Sequence, residues 1–417
     1  MGCGTVNVLR RNHRQISLRA GRELIIEQIG ARRDNPQCDT GEIALTRDIF
    51  DVVNNPDIDI VVEVIGGVAD AKKLILQAIA NGKHVVTANK ALIAECGNEI
   101  FARAREQGVI VAFEAAVAGG IPIIKALREG LSANRIQWIA GIINGTGNFI
   151  LTEMRDKGRD FDSALTEAQL LGYAEADPTF DVEGIDAAHK LAILASLAFA
   201  MPLQFDKVVT EGIAAVSTAD IHYAEQFGYR IKHLGIARCL GERVELRVHP
   251  TLIPAKRLLA NVDGVMNAVL VKGDAAGPTL YYGAGAGAEA TASAVIADIV
   301  DIARVGIDNV TAASAVPHQV TERPVLPIEA VETAYYLRLM AEDKPGVLSD
   351  ITQLFSAAGI SIEAVNQKEP EPGETEAVIV LLTHKVVEKA LLAVVETIEA
   401  LANVHGKVIH IRVENLQ

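Results

Sequence analysis

The residues with the greatest potential for chemistry lie in one stretch, 172–190, which reads GYAEADPTFDVEGIDAAHK. It combines acidic side chains with a tyrosine, a histidine and a lysine. Asp186 and Lys190 are four residues apart, so they share one face of the helix predicted after Gly184. The lysine is either an ion-paired anchor or a group that protonates an alkoxide, and the acids suit an amino-bearing substrate.

Further candidates follow short apolar runs in the first 125 residues. Gly66 and Gly67 come after DIVVEVI (59–65), and Lys90 comes after KHVVT (83–87). The β-branched residues of these runs predict buried parallel strands, and parallel sheets bind ligands at the carboxyl ends of their strands. We therefore expect Lys90 to contact a cofactor or substrate, with capping of a helix as the alternative.

The segment EAAVAGGIP (114–122) follows another such strand, VIVAF. It offers the carboxylate of Glu114 and a run of backbone carbonyls on a glycine turn. Hard cations prefer such oxygen ligands. The segment is therefore either a cation site or a plain turn.

The amino terminus bears only part of a dinucleotide-binding signature. Such domains open with a strand, then G-x-G-x-x-G, then a helix. Here Gly2 and Gly4 directly precede a predicted helix, 5–18, so we expect either an upstream start codon or a truncated product, with an incomplete pyrophosphate cradle. Arg32 and Arg33 follow the predicted strand 24–31, where an arginine can accept the 2′-phosphate of NADP; the alternative is that both are simply solvated.

Composition excludes several classes of protein. The 417 residues carry a net charge of −14, which disfavours binding to nucleic acid or to anionic membranes. We find no apolar run long enough to span a membrane and no signal peptide, and the four scattered cysteines suggest neither disulfides nor zinc. We therefore expect a cytoplasmic protein.

Element order divides the chain into three units. Alternating strands and helices predict a parallel α/β domain over 1–127, and an α+β domain follows over 128–287. Residues 304–333, with three prolines, predict a linker, and 334–417 show the βαββαβ order of a ferredoxin-like fold. We expect helix 288–303 to pack back on the first domain, and the last unit to be separable because it has its own apolar pattern.

These segments together resemble the homoserine dehydrogenase family, in the bacterial form with a C-terminal ACT domain. The resemblance spans essentially the whole chain and is carried by VVTANKAL (85–92), EAAVAGGIP, GIINGTGNFILTEM (141–154), GAGAG (283–287) and above all 172–190. It implies a Rossmann-like dinucleotide-binding domain, an α+β substrate-binding and dimerisation domain, and an ACT regulatory domain. Of the family's glycine signature, this sequence matches only the third glycine, with Gly2.

The resemblance also implies roles for individual residues. Lys190 matches the family's catalytic proton donor, and Glu175, Asp181 and Asp186 match acids of the substrate pocket, with Glu175 binding the amino group. The residues expected at the cofactor are Gly2, Gly4, Arg32, Arg33, Gly66, Gly67, Lys90, Gly285 and Gly287. The residues expected at a sodium-type cation are Glu114, Val117, Gly119 and Ile121.

The implied activity is interconversion of L-aspartate 4-semialdehyde and L-homoserine, in threonine, methionine and isoleucine biosynthesis. The expected cofactor is NADP, with NAD as the alternative. The expected partners are a small-molecule substrate and an amino-acid effector, threonine, at the ACT domain, in a homodimer or homotetramer. The competing hypothesis is a catalytically impaired amino-acid-sensing module.

Overall fold

A computed structural model describes residues 1–36, 38–305, 320–368 and 375–417. The helices are α1 (Gly2–Arg11), α2 (His13–Ala20), α3 (Ile49–Asn54), α4 (Ala69–Ala80), α5 (Lys90–Gln107), α6 (Ile123–Lys125), α7 (Gly145–Lys157), α8 (Phe161–Leu170), α9 (Thr179–Val182), α10 (Ile185–Phe199), α11 (Thr218–Gln226), α12 (Ala288–Val305), α13 (Val347–Ala357) and α14 (Glu388–Glu399). Within the described residues, none of them is long and apolar enough to cross a membrane.

The strands fall into three sheets. They are β1 (Gln28–Gly30), β2 (Ala44–Thr46), β3 (Ile60–Glu63), β4 (His84–Thr87), β5 (Val111–Ala112), β6 (Ile136–Ile142), β7 (Val209–Thr210), β8 (Tyr229–Leu240), β9 (Arg243–Pro254), β10 (Met266–Gly273), β11 (Gly277–Ala284), β12 (Glu332–Glu342), β13 (Ile362–Gln367), β14 (Glu376–Thr383), β15 (Val386–Val387) and β16 (Val404–Val413).

The first domain has the expected parallel strands, but they do not form one sheet. Strands β1 and β2 pair with each other, and β3, β4 and β5 form a second parallel sheet. Between the two sheets lies a cavity of about 880 Å³, lined by residues 22–31 on one side and 57–62 on the other. In the described part of the chain no strand pairs with both β1 and β3, so the parallel strands of this domain are divided between two sheets.

Two predicted elements of this domain are shorter than expected. The predicted strand 24–31 is regular only over β1, because its one paired neighbour is the three-residue β2. The predicted helix 5–18 is interrupted at Asn12, which separates α1 from α2. Helix α12 packs on both: Ala292 and Ile296 share an apolar cluster with Val8 and Ile16.

The second and third domains share one 11-stranded sheet. Its main path runs β11, β10, β6, β8, β9, β16, β12, β14 and β13. The hairpin of β10 and β11 was not anticipated from the sequence. The junction between domains is the parallel pair of β9 and β16, in which Arg412 lies opposite Thr251 and Val413 opposite Leu252.

The shared sheet argues against the expectation that the last unit is separable, which stays a prediction. Tyr336 and Ile411 of the third domain share a buried apolar cluster with Ile150 and Ile213 of the second. Removing residues 334–417 would expose these side chains to water. Of the predicted linker, 306–319, including Pro317, lie outside the described residues, whereas Val325 forms a β-bridge with Val244 of β9.

Candidate active site

Helix α10 supplies a buried lysine and aspartate on one face. Lys190 Nζ donates hydrogen bonds to Asp186 Oδ2 at 2.6 Å and to the carbonyl oxygen of Ile143 at 2.7 Å. Both residues are buried because α10 is largely apolar all round and sits against β6, β8 and β9. The predicted pairing of residues four apart is confirmed.

Two further elements bring polar groups to this pair. Lys90, the first residue of α5, places Nζ 2.9 Å from Asp186 Oδ1. Asn144, which lies between β6 and α7, donates through Nδ2 to Asp186 Oδ2 at 2.9 Å and to Asp181 Oδ1 at 2.7 Å. The cluster thus joins two acids, two lysines and an amide that come from four segments of the chain.

Burial sets the charges of this cluster. Burial lowers the pKa of Lys190, and Asp186 opposes that shift. Burial alone would raise the pKa of Asp186, but Lys190 and Lys90 hold it well below its ordinary value. Asp186 is therefore ionised at neutral pH, and Lys190 has a proton that it releases more readily than an exposed lysine would.

Asp181 behaves differently from its neighbour. Burial raises the pKa of Asp181, while the hydrogen bond from Asn144 lowers it. An acid poised in this way can bind a cationic amino group when ionised.

The remaining predicted substrate residue lies apart from this network. Glu175 is exposed on the loop after α8, and within the described residues its carboxylate makes no hydrogen bond or ion pair. The buried ring of His189, next to Lys190 in sequence, stacks between Phe180 and Phe205. Lys90 Nζ lies 5.7 Å from the centre of the Phe180 ring.

The glycine turn after β3 is organised by a residue that sequence reasoning missed. Gly66 and Gly67 both adopt φ of +73°, and a side chain at either would meet only open space. The fully buried carboxylate of Glu63 accepts from the N–H groups of Ile65 and Gly66 and from the Thr87 hydroxyl. The sequence does contain a signal for Glu63: an acid within an apolar strand is buried only where hydrogen-bond donors or cations contact it.

The two arginines after β1 face different surroundings. Arg33 lines the 880 Å³ cavity, together with Gly2 and Val64. Arg32 instead points to Asp70, with 3.4 Å between the charged groups and 83% of its side chain exposed. Only Arg33 is therefore in a position to face a ligand in that cavity.

Close backbone approach explains three of the glycines. A side chain at Gly4 would lie 2.5 Å from the carbonyl oxygen of Ala288, so Gly4 allows α1 to pack against the start of α12. A side chain at Gly119 would collide with the backbone of Gly285, and one at Gly285 with the amide of Asn267. Gly287, with φ of +117°, has open space beside it.

The turn 114–121 presents backbone oxygens rather than a free carboxylate. Both carboxylate oxygens of Glu114 accept backbone N–H groups, from Ile124 and Lys125, at 2.9 and 2.8 Å. Within the described residues, the carbonyl oxygens of Val117 and Gly119 accept no hydrogen bond, while Ile121 accepts from Ile123. No group of three or more acidic, histidine or cysteine side chains suited to a metal occurs among the described residues.

An acid of α12 supports the same turn. Asp298 Oδ2 accepts the backbone N–H of Glu114 at 2.8 Å. Burial, reinforced by the charge of Glu114, raises the pKa of Asp298 to about 8, and burial raises the pKa of Glu114 as well. Asp298 is therefore largely protonated at neutral pH, which avoids two adjacent buried charges.

Models of known families match nearly the whole chain. A model described as "Homoserine dehydrogenase, NAD binding domain" matches residues 1–114, and one described as "Homoserine dehydrogenase" matches 122–300. A model of the ACT domain matches 335–403. These matches confirm the Rossmann-like, catalytic and ACT fold classes.

Individual proteins match over the same length. The chain is 62% identical to a homoserine dehydrogenase of Pseudomonas aeruginosa, over 100% of this chain and 97% of that protein. It is 60% identical, with a TM-score of 0.94, to the crystal structure of a homoserine dehydrogenase from Thiobacillus denitrificans, over 100% of this chain and 96% of the other. A hyperthermophilic archaeal homoserine dehydrogenase in complex with NADPH is 27% identical, with a TM-score of 0.61, over 72% of this chain and 93% of the other.

Such matches bear on the two functional hypotheses. Both full-length relatives are named as enzymes, and the lysine and acids of the pocket are assembled in this structure. The alternative, a catalytically impaired amino-acid-sensing module, is not supported.

Proposed function

The chain belongs to the homoserine dehydrogenase family, and from that premise we propose that the pocket of α10 interconverts L-aspartate 4-semialdehyde and L-homoserine. The enzyme is an oxidoreductase that acts on a CH–OH group. The observation that carries the proposal for the site is the buried contact of Lys190 with Asp186, at 2.6 Å.

In the proposed reaction Lys190 moves the proton. In the direction of reduction its ammonium group donates a proton to the oxygen of the aldehyde, and in oxidation the neutral amine takes the proton from the hydroxyl. Asp186 and the Ile143 carbonyl fix the position of Nζ before the substrate arrives. A nicotinamide dinucleotide, when bound, supplies or accepts the hydride.

The acids and the second lysine orient the substrate. We assign Asp181 and Glu175 to the substrate's amino group. The carboxylate of Asp181 is partly buried, where it binds an ammonium group strongly, whereas Glu175 is exposed on the loop after α8 and would approach the amino group from solvent. Lys90 holds the second oxygen of Asp186 and lies where the substrate's negative end is attracted. The buried ring of His189 stacks against Phe180 and Phe205 beside this group.

The cofactor we propose is NADP. A NAD-binding domain is present, and an archaeal relative is described in complex with NADPH. In this chain, Arg33 lines the cavity, where a guanidinium suits a 2′-phosphate, and Gly66, Gly67 and Gly287 leave open space for close approach.

We further propose a sodium-type cation at the turn 114–121. The free carbonyl oxygens of Val117 and Gly119 fit such an ion, because Ala118 and Gly119, both at positive φ, turn the backbone sharply there. Ile121 and Glu114 would complete the site through their backbone oxygens, since the Glu114 carboxylate is already engaged. The ion would hold the turn against α12.

An ACT domain is present, and such domains bind amino acids. We propose threonine as the effector, at the loop Asp343–Gly346 that precedes α13, and a homodimer or homotetramer as the assembly. Helix α13 begins without a side-chain cap. Its first N–H group, that of Val347, donates to the carbonyl oxygen of Lys344, so the N–H groups of Leu348 and Ser349 are the ones we assign to a carboxylate.

An assay of the purified protein tests the proposed function. We expect NADPH-dependent reduction of L-aspartate 4-semialdehyde and NADP-dependent oxidation of L-homoserine, with a smaller kcat/KM for the NAD forms. A protein that binds NADPH but converts neither substrate would contradict the proposal. Threonine added to the same assay tests the effector.

A further inference from the structure

Asn144 uses every polar atom of its side chain. Its Oδ1 accepts the N–H of Gly147 at 2.7 Å and so caps α7. Its Nδ2 has two N–H groups, and one donates to Asp181 at 2.7 Å and the other to Asp186 at 2.9 Å. The side chain is therefore fixed at one end by the helix and at the other by two acids.

The two acids need a neutral donor between them. Asp186 Oδ2 is shared by the Lys190 ammonium and the Asn144 amide. In the described part of the chain, Asn144 is the one neutral side chain that contacts both carboxylates. Without it, the two negative groups would repel each other and could separate.

We propose that Asn144 is a positioning residue, which holds Asp181 and Asp186 together so that Lys190 keeps its orientation and its proton. The inference rests on the proposed function, because the protonation of Lys190 affects catalysis only if Lys190 transfers that proton to the substrate. Asparagine suits this place because it can cap α7 and donate twice. Serine can cap the helix but cannot reach the acids, and aspartate would add a third carboxylate.

The charges around Lys190 determine how the pH dependence should change. The charged groups that act on its pKa are Asp186 on α10, Lys90 from α5 and Asp181 from α9. The neighbouring His189 contacts Glu95 of α5, and His233 of β8 lies beside Gly184, at the start of α10. The hydrogen bond from Asn144 lowers the pKa of Asp181, and the charge of Asp181 raises the pKa of Lys190. Loss of the hydrogen bond from Asn144 should thus raise the pKa of Asp181 and lower the pKa of Lys190.

The test compares Asn144→Ser with Asn148→Ser across the pH range. Asn148 is a matched control, since it is a buried asparagine of the same helix whose Nδ2 donates to the carbonyls of Val262 and Gly264 instead. For Asn144→Ser we expect kcat for reduction to fall about tenfold and the two limbs of its pH profile to approach each other by about one unit each. For Asn148→Ser we expect lower thermal stability and limbs at the wild-type pH values.

A second variant, Asn144→Asp, retains the size and the helix cap. It places a carboxyl group against two carboxylates, and only its protonated form can donate a hydrogen bond to them. We expect its activity to recover as the pH is lowered, which Asn144→Ser cannot do. If Asn144→Ser does not fold, Asn144→Asp still tests the inference.

Two results would overturn the inference. One is a loss of kcat by the same factor at every pH in Asn144→Ser, which would indicate a purely structural side chain. The other is an Asn144→Asp profile with no recovery at low pH. If the wild-type protein is inactive, the proposed function fails, but NMR titration of the Asp181 carboxyl still tests the inference: we expect a higher pKa in Asn144→Ser, and an unchanged pKa would contradict it.

Discussion

The substrate pocket and the dinucleotide-binding region differ in how far their own side chains complete them. In the pocket, the buried Asp186 accepts hydrogen bonds from Lys190 at 2.6 Å and from Asn144 at 2.9 Å. In the dinucleotide-binding region, the sheets of β1 and β3 are separated by a cavity of about 880 Å³, and Arg32 and Arg33 are exposed. We call the pocket the interlocked region, because its side chains hydrogen-bond to one another's partners, and we call the dinucleotide-binding region the open region, because a cavity separates its two sheets.

The difference follows from what each region has to do. A proton donor needs its position and pKa fixed in advance, because reorganisation during the reaction adds to the barrier. That requires polar side chains packed against each other. A dinucleotide is held largely by backbone N–H groups and glycine turns such as Gly66 and Gly67, which leave space rather than fill it.

The largest effect is expected at the centre of the interlocked region. Lys190→Ala should lower kcat by at least about a hundredfold with NADPH affinity nearly unchanged, since general acid catalysis contributes about 10²–10⁴-fold. Lys190→Arg should be almost as slow, because arginine keeps the positive charge but does not release its proton. Single-turnover kinetics with a separate NADPH titration measure both. Near-normal turnover in either variant would remove Lys190 from this role.

A second network of buried hydrogen-bonded side chains joins the ACT domain to the catalytic domain. A substitution in it tests whether such networks also contribute to the free energy of unfolding. Buried Arg412 of β16 donates to Glu388 and Glu211. Arg412→Met leaves the buried Glu388 without its cationic partner, with the Tyr335 hydroxyl as a neutral donor, and should lower the free energy of unfolding by about 3 kcal/mol or more.

Chemical denaturation measures this change. Arg243→Met is the control, because Arg243 is exposed on the neighbouring strand β9, and its effect should stay within about 0.5 kcal/mol. Equal effects of the two variants would mean that the buried network does not tie the domains together.

In the dinucleotide-binding region, we expect substitutions to have a smaller effect, on NADPH affinity, and we expect it at only one of the two arginines. Arg33→Ala should weaken NADPH binding by about tenfold to a hundredfold and leave NADH little affected, the loss expected for charge-assisted bonds to a phosphate. Arg32→Ala should matter less, because Arg32 points to Asp70. Fluorescence titration with both cofactors measures the difference. Equal losses for NADPH and NADH would show that Arg33 does not contact the 2′-phosphate.

Much of the site could be predicted where its chemistry lies in side chains close in sequence. The spacing of Asp186 and Lys190 gave their shared helix face, and the β-branched run 59–65 located β3 and the glycines after it. The βαββαβ order of the third domain was also recognisable. These features depend on local periodicity, which a single sequence contains.

Features that depend on long-range pairing could not be predicted. The bridge from Asn144 to Asp181 spans 37 residues, and the pairing of β9 with β16 spans about 160. The hairpin of β10 and β11 was missed because β11 contains glycine, proline and half-exposed positions in place of a regular alternation. Glu63 was overlooked because its partners become visible only when β3 and β4 are paired.

The most direct test of the interlocked pocket is the pH profile of kcat for reduction in Asp186→Asn. Reduction needs protonated Lys190, so kcat falls as the pH rises through the pKa of that lysine, and the Asp186 carboxylate raises this pKa. Its removal should move the midpoint to lower pH by about one unit or more. Asp263→Asn, which removes an acid beside Lys232 instead, should leave the midpoint in place. A midpoint that stays at the wild-type pH in Asp186→Asn would contradict the account.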